Sequence, residues 1–177
     1  LDKSPESRRF MVTQGFSFLA LFLENMDPKL ISGDLITQLS KFLAFYPDDD
    51  EWTRQCLKSL FCNFSLWVLT PFETQEFLLR HLEVYASTKA DLFREAVGIN
   101  YLFSVLYFQY SDQQLQRYQS FSMSKLESPT WVSRWGQYYS LTQEQLRTIR
   151  GLMFQVIYQI IMQSKDDISK DVSSIVS

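Results

Sequence analysis

Apolar residues recur at three- and four-residue steps along most of the chain, with polar residues between them. This spacing puts the apolar side chains on one face of an α-helix, so it predicts a succession of amphipathic helices. Ser4-Pro5 begins the first helix, because proline is tolerated in a first helical turn. Asp27-Pro28 ends it, since the residue before proline is pushed out of the helical region. A second helix follows the capping cluster at 32–34.

The third predicted helix covers residues 50–69 and lacks a polar side over its last ten residues. A helix that is apolar all round packs against several neighbours, so we expect it inside a stack. A TPFE motif follows at 70–73. It predicts a capping box, in which the Thr70 hydroxyl accepts from the Glu73 amide and the Glu73 carboxylate accepts from the Thr70 amide.

The TPFE motif opens a fourth helix that extends to about Tyr85. Residues 89–97 have the pattern of a short fifth helix, and Gly98 suits the positive φ that often ends a helix. Asn100 is expected to cap a sixth helix, because asparagine is a preferred N-cap residue.

Residues 111–141 interrupt the helical pattern with frequent Gln and Ser, and with Pro129. We expect an irregular or partly flexible inter-helix loop, whose first residues can extend the sixth helix. Thr142-Gln143-Glu144-Gln145 matches a second capping box and opens a long amphipathic helix. A last helix is expected after Asp166-Asp167.

These helices fall into successive pairs about 40–45 residues apart, the length of HEAT or armadillo repeats. The sequence therefore predicts an all-α fold: a HEAT/armadillo-like α-solenoid segment of stacked antiparallel helical hairpins, with about seven or eight helices. A closed helical bundle is the alternative. We expect residues 1–177 to form a single armadillo-like segment of a larger protein.

Composition excludes several classes of protein. The chain is 46% hydrophobic and 16% aromatic, far too apolar for a disordered chain. Its net charge of −3 comes without a basic stripe, which argues against nucleic-acid binding. No apolar run approaches the ~20 residues that span a bilayer, so direct membrane insertion is not expected. Cys56 and Cys62 match no metal or redox spacing and are expected to be buried, reduced thiols of a cytoplasmic protein.

Catalytic patterns are missing from the sequence. His81 is the only histidine, which rules out a two-histidine metal site. No serine lies in a G-x-S-x-G elbow, and the five glycines are isolated, so no phosphate-binding loop exists. We therefore expect no catalytic residue, no cofactor and no metal. A small helical enzyme would require a polar pocket that the sequence does not indicate.

The predicted loop contains the one feature that suggests binding. Trp131, Trp135, Tyr138 and Tyr139 are aromatic residues in an otherwise polar region, and Trp and Tyr are enriched at interface hot spots. They are our candidate protein-binding residues. The alternative is that the loop folds back and packs these rings onto the helices.

Two stretches resemble a known family. FCNFSLW at 61–67, followed by PFETQ at 71–75, resembles the N-F-x-aliphatic-W … F-x-x-Q stretch of large BEACH-domain proteins of the neurobeachin type. LFREAVGINYL at 92–102 resembles their L-F-R-x-x-x-G-aliphatic-x-Y/F-L stretch. The residues that carry the likeness or mark helix boundaries are Asn63, Trp67, Thr70, Pro71, Glu73, Phe93 and Gly98.

The resemblance implies the α-solenoid region upstream of the PH-like and BEACH domains. It implies a non-catalytic protein-interaction scaffold involved in vesicle trafficking and membrane dynamics. Other proteins and the remaining domains of the same chain would be its partners. The location would be cytoplasmic, and peripheral at membranes through other domains. The alternative is a helical-repeat adaptor of an unrelated pathway, such as nuclear transport or ubiquitin-ligase assembly.

Overall fold

The computed structural model describes residues 4–116 and 138–164, and the regular structure of these residues is entirely helical. The predicted all-α class is therefore confirmed. The helices are α1 (Pro5–Phe10), α2 (Phe16–Asn25), α3 (Gly33–Phe45), α4 (Asp50–Cys56), α5 (Phe64–Trp67), α6 (Phe72–Thr88), α7 (Ala90–Val97), α8 (Ile99–Phe108) and α9 (Gln143–Gln163). Two π-helical turns (Met11–Gly15 and Leu57–Phe61) and a 3₁₀ turn (Pro28–Leu30) complete the described elements.

The helices form three successive units, α1–α3, α4–α6 and α7–α9. Each unit has a first arm of two segments joined end to end and a second arm of one helix. Corresponding helices pack on each other: α4 on α7, and α6 on both α3 and α9. None of the main helix packings in the described residues joins the first unit to the third. This is an open stack, in which each unit contacts its neighbour.

The first arm of each unit is interrupted after a first helical segment of six to eight residues. In the first unit a π-helical turn joins α1 to α2, and in the third unit Gly98 separates α7 from α8 with φ of 80°. The positive φ predicted for Gly98 is confirmed.

The prediction of one helix over 50–69 is wrong. The helix ends at the π-helical turn Leu57–Phe61, and α5 begins only at Phe64. Two side-chain bonds stabilise this break. The Asn63 amide donates to the Glu24 carboxylate at 2.7 Å, and the Trp67 indole N–H donates to the Leu60 carbonyl at 2.8 Å.

The predicted capping box at 70–73 is also wrong. Helix α6 begins at Phe72 with Pro71 in the N-cap position, one residue later than predicted. The Thr70 side chain is buried and its hydroxyl donates to the Trp67 carbonyl at 2.7 Å, while Glu73 is exposed. Thr70 therefore closes the preceding turn and does not cap α6.

Two further predictions concern helix starts. Helix α8 begins at Ile99, so Asn100 lies within its first turn and is not the N-cap. The second capping box is confirmed, because the Gln145 amide donates to the Thr142 hydroxyl at 3.2 Å and the Thr142 amide donates to the Gln145 side chain at 2.9 Å. In the predicted loop, residues 112–116 are helical. Residues 117–137, and the helix expected after Asp166, lie outside the described residues.

An ion pair connects the first two units. The Arg8 guanidinium donates to both oxygens of the Asp49 carboxylate, through Nη2 to Oδ1 at 2.8 Å and through Nε to Oδ2. Asp49 Oδ1 also accepts from the Trp52 amide at 3.0 Å and so caps α4. The hydrogen bond from Arg8 is the main reason that the pKa of Asp49 lies below its usual value.

We expect Asp49→Ala to lower the free energy of unfolding at pH 7 by about 1–2 kcal/mol, through loss of the cap and the ion pair. Because the pKa of Asp49 is lower in the folded state than in the unfolded state, this stabilisation is complete above the unfolded value of about 4. It is lost as the pH falls through the folded value. Urea unfolding of the wild type and of Asp49→Ala at pH 7 and at pH 2.5 measures the loss of stability and its dependence on pH. A penalty of equal size at the two pH values, or a similar penalty for the exposed neighbour Asp48→Ala, would contradict this account.

Candidate functional site

Side-chain hydrogen bonds join successive units at a nearly constant sequence distance. Arg8–Asp49, Ser40–His81 and Arg54–Glu95 each connect residues 41 positions apart. Further bonds of this kind are Asn63–Glu24, Thr74–Ile31 and Tyr101–Cys62. Equivalent places in neighbouring units are thus tied together, which fixes the angle at which the units stack.

Gln75 is the centre of a buried polar network at the corner between α5 and α6. Its side-chain amide donates to the Thr70 carbonyl at 2.7 Å and to the Val68 carbonyl at 3.2 Å. Its Oε1 accepts from the Tyr110 hydroxyl at 2.9 Å. Burial raises the pKa of Tyr110, which keeps this hydroxyl a neutral donor.

The same corner connects all three units. Thr74, next to Gln75 in α6, donates its hydroxyl to the Ile31 carbonyl of the first unit at 2.9 Å. Tyr110 follows α8 of the third unit. Sequence reasoning missed this network. The only sign of it is the glutamine that closes the F-x-x-Q motif, an amide placed beside an apolar helix face.

The residues that could carry chemistry have structural surroundings. Cys56 and Cys62 are free and buried, and burial raises the pKa of both thiols, so they are held as neutral S–H groups. His81 stacks on the Phe61 ring, with its Nε2 3.0 Å from the Ser40 hydroxyl. Burial lowers the pKa of His81, which favours its neutral form. Within residues 4–116 and 138–164, no three His, Cys, Asp or Glu side chains are grouped to hold a metal ion.

An open groove of about 550 Å³ lies between α8 and α9. We call it the α8–α9 groove. Phe103, Leu106, Tyr107 and Phe154 form its apolar walls, and its polar edge consists of Ser111, Asp112, Gln113 and Arg150. The Phe103 and Phe154 rings meet edge to face, with their centroids 6.3 Å apart.

The charged groups at the edge of the groove are held in place. The Arg150 guanidinium donates through Nε to the Tyr110 carbonyl at 2.6 Å and lies 3.1 Å from the Asp112 carboxylate. Gln143 at the start of α9 also donates to Asp112, at 2.7 Å. The hydrogen bond from Gln143, followed by that from Arg150, lowers the pKa of Asp112, so this carboxylate is ionised at neutral pH.

Several large apolar side chains around the groove face solvent. Tyr107 is 70% exposed and Phe108 61% exposed, although both belong to a helix with almost no polar residues. Clustered exposed aromatic residues mark protein interaction sites, because such rings supply a large contact area at low entropic cost. The groove is therefore the best candidate interaction surface among the described residues.

Of the four aromatic residues predicted from the sequence to bind a partner, Tyr138 and Tyr139 belong to the described residues and do not line the groove. Trp131 and Trp135 fall outside the described residues. Tyr138 and Tyr139 are half-buried and pack against the hydrophobic core, and the Lys29 ammonium lies 5.8 Å from the centroid of the Tyr138 ring. Their role in binding a partner stays a prediction. Sequence reasoning missed the groove, whose only signal is the apolar character of α8 on every side.

A family model described as "Neurobeachin/BDCP, DUF4704 alpha solenoid region" matches residues 1–177. The chain belongs to this family. No curated protein and no solved structure matches it. The stack described above is thus a neurobeachin-type α-solenoid region, and the predicted solenoid is confirmed. None of the helices in the described parts of this solenoid is long and apolar enough to cross a membrane.

The residues that carry the family likeness are structural in this solenoid region. Asn63 and Trp67 stabilise the break before α5, and Gly98 supplies the positive φ between α7 and α8. Phe93 is fully buried, with its ring centroid 6.4 Å from that of Tyr85. These residues therefore stabilise the fold of the neurobeachin-type solenoid, and none of them lines the exposed groove.

Proposed function

We propose that this solenoid region is a non-catalytic protein-interaction scaffold of a BEACH-type protein that acts in vesicle trafficking and membrane dynamics. The α8–α9 groove is the observation that carries the proposal. It combines exposed aromatic walls with fixed charges at its edge, on a stack whose units are tied together. Family membership supplies the cellular setting. A cytoplasmic location, peripheral at membranes through other domains, belongs to the same proposal.

The armadillo-like assignment is also part of this proposal. Three helical segments per unit fit armadillo repeats, and the first helices of the second and third units, α4 and α7, begin 40 residues apart, at Asp50 and Ala90, within the usual repeat length of about 40–47 residues. Repeats of this type present extended surfaces to their partners. Such a scaffold acts by holding its partners in a fixed relative position and needs no catalytic group.

The groove fits a partner that inserts an apolar side chain. Tyr107 and Phe154 offer ring faces on which an aliphatic or aromatic side chain can pack. Arg150 and Asp112 lie at the edge, where a polar backbone or a charge of the partner can be oriented. A stable interface buries roughly 800 Å² on each partner, so the groove is the anchor of a larger contact.

We expect that partners of this region are captured from cell lysate by the wild-type chain and are lost when the chain carries Tyr107→Glu. A buried charge at an interface anchor costs more than about 2 kcal/mol, which is roughly thirtyfold in affinity. The full 177-residue chain is the bait, and quantitative mass spectrometry is the measurement. The proteins that depend on Tyr107 are expected to include vesicle-trafficking components.

Val84→Glu is the matched control, because Val84 is 67% exposed on α6 and does not line the groove. Both variants should melt within about 2 °C of the wild type, since exposed substitutions rarely change stability by more than about 0.5 kcal/mol. Equal capture by the two variants would show that the groove is not the binding surface. Recovery of nuclear-transport or ubiquitin-ligase components through Tyr107 would favour the unrelated adaptor.

A further inference from the structure

The connector between the two arms of the third unit is much longer than its counterparts. Residues 26–32 join the arms of the first unit and residues 68–71 those of the second, whereas residues 109–142 join α8 to α9. Connections between stacked helices usually have about two to eight residues, and a long one often has a function of its own. The third unit thus contains a connection that the stacking of its helices does not require. We call residues 138–142, which lie directly before α9, the strap.

The strap contacts the first unit. The ammonium of Lys29, in the 3₁₀ turn Pro28–Leu30 before α3, lies 5.8 Å from the centroid of the Tyr138 ring. A cation within about 6 Å of an aromatic ring centroid is attracted by the face of the ring. Helix α6 packs against both α3 and α9 and so lies between them. The contact therefore passes over the second unit and joins the two outer ones.

The geometry of the stack requires the strap to be nearly extended. Packed helices are about 8–10 Å apart, so α3 and α9 are separated by roughly 16–20 Å. Tyr138 precedes the first residue of α9 by five positions, and five residues of fully extended chain cover about 17 Å. Residues 139–142 accordingly form no helix, and Thr142 has φ of −80° and ψ of 167°. An extended segment of this length has little slack, so it resists a change in the distance between the outer units.

The strap is also attached to the core along its length. Leu141 is 4% exposed, and the rings of Tyr138 and Tyr139 pack against the hydrophobic core. Thr142 forms the capping box that begins α9. The strap is thus fixed to the third unit at one end, and its other end contacts Lys29 of the first unit.

We propose that the strap is a conformational lock by which the third unit holds the first unit in place, with Tyr138 and Lys29 as its clasp. In an open stack each unit is stabilised only by its neighbours, so a terminal unit can open by itself. The strap adds a direct connection between the two outer units. It therefore keeps the first unit and the α8–α9 groove in one relative orientation. This inference is independent of the scaffold function, because neither Lys29 nor Tyr138 lines the groove.

Hydrogen–deuterium exchange of the 177-residue chain, followed by mass spectrometry, tests the lock. The hydrogen-bonded amides within residues 30–36 report local opening of the first unit. We expect Tyr138→Leu, in the third unit, to accelerate their exchange about two- to fivefold, the equilibrium equivalent of one cation–π contact at an exposed site. Lys29→Met should have the same effect, and Tyr138→Leu should add nothing to it in the double variant.

Two further variants are controls. Lys29→Arg keeps the cation, so it should leave exchange in the first unit unchanged. Tyr158→Leu removes the same ring from another residue of the third unit, which is 58% exposed on α9, and should also leave the first unit unchanged. Lys29 is itself exposed, so we expect Lys29→Met to fold like the wild type.

Three results would overturn the proposal. Unchanged exchange at residues 30–36 in Tyr138→Leu would show that the third unit does not hold the first. Further acceleration by Tyr138→Leu in the Lys29→Met background would show that the two side chains act separately. Equal acceleration by Lys29→Arg or Tyr158→Leu would assign the effect to a general loosening of the chain. If Tyr138→Leu does not fold, the comparison of Lys29→Met with Lys29→Arg decides, and equal exchange in these two variants would overturn the clasp.

Discussion

Replacement of Trp67 by alanine is expected to lower the free energy of unfolding by about 3–5 kcal/mol. Trp67 is completely buried in the central unit, and its indole N–H is the donor to the Leu60 carbonyl at the break between α4 and α5. The substitution leaves a cavity and also removes the stronger hydrogen bond of that carbonyl, which keeps only a long contact of 3.4 Å with the Asn63 amide, so both effects add. Urea unfolding followed by circular dichroism measures the change.

Phe108→Ala is the control for this substitution. It also removes an aromatic ring, but from a residue that is 61% exposed, so we expect a change below about 0.5 kcal/mol. Trp67→Phe should fall between the two, because it keeps most of the volume and loses the hydrogen bond. A loss of less than about 1 kcal/mol for Trp67→Ala would show that the centre of the stack is loosely packed.

Gln75→Leu is expected to be nearly as destabilising, with a loss on the order of 3 kcal/mol. Leucine is similar in size but leaves the carbonyls of Val68 and Thr70 and the hydroxyl of Tyr110 buried without partners. Each unpaired buried group costs about 1–3 kcal/mol. The free energy of unfolding is again the measured quantity.

A double-mutant cycle with Tyr110→Phe separates the network from simple packing. Tyr110→Phe alone removes the donor to Gln75 and should cost about 1–2 kcal/mol. In the Gln75→Leu background it removes a group that is already unpaired, so it should cost nothing or restore stability. Additive losses in the double variant would rule out coupling between the two side chains.

The features that could be predicted from the sequence are those that a short segment determines by itself. The Thr142–Gln145 capping box forms because both bonds lie within four residues. Gly98 adopts a positive φ because the residue type permits it there at little cost. The helical period likewise reflects local amphipathic patterns, which is why the all-α class could be recognised.

The features that could not be predicted depend on distant partners. The break after Phe61 is stabilised by a bond from Asn63 to Glu24, 39 positions earlier. The corner at Thr70 matches a capping box in sequence, yet the Thr70 carbonyl is bonded by Gln75 and its hydroxyl turns to Trp67. The capping box does not form at Thr70, because the bonds with Trp67 and Gln75 satisfy polar groups that are fully buried.

The candidate interaction surface was unpredictable for a related reason. Phe64 and Tyr107 both occur in strongly apolar helical runs, but only Tyr107 is exposed. The difference arises because α5 belongs to the central unit, between the other two, whereas α8 belongs to the last described unit. A sequence pattern indicates how apolar a helix is, whereas its number of neighbours follows from the stacking.

The breaks in the three first arms are the places where this column of stacked units can bend most easily. Because only the first arms are interrupted, bending strain can concentrate at their three short joints and leave the second arms, α3, α6 and α9, straight. Gly98 is the simplest of these joints, since a side chain placed there would touch nothing within 4 Å and would act only through its unfavourable φ. A residue other than glycine at position 98 would therefore disturb the joint between α7 and α8 without a steric clash in the core.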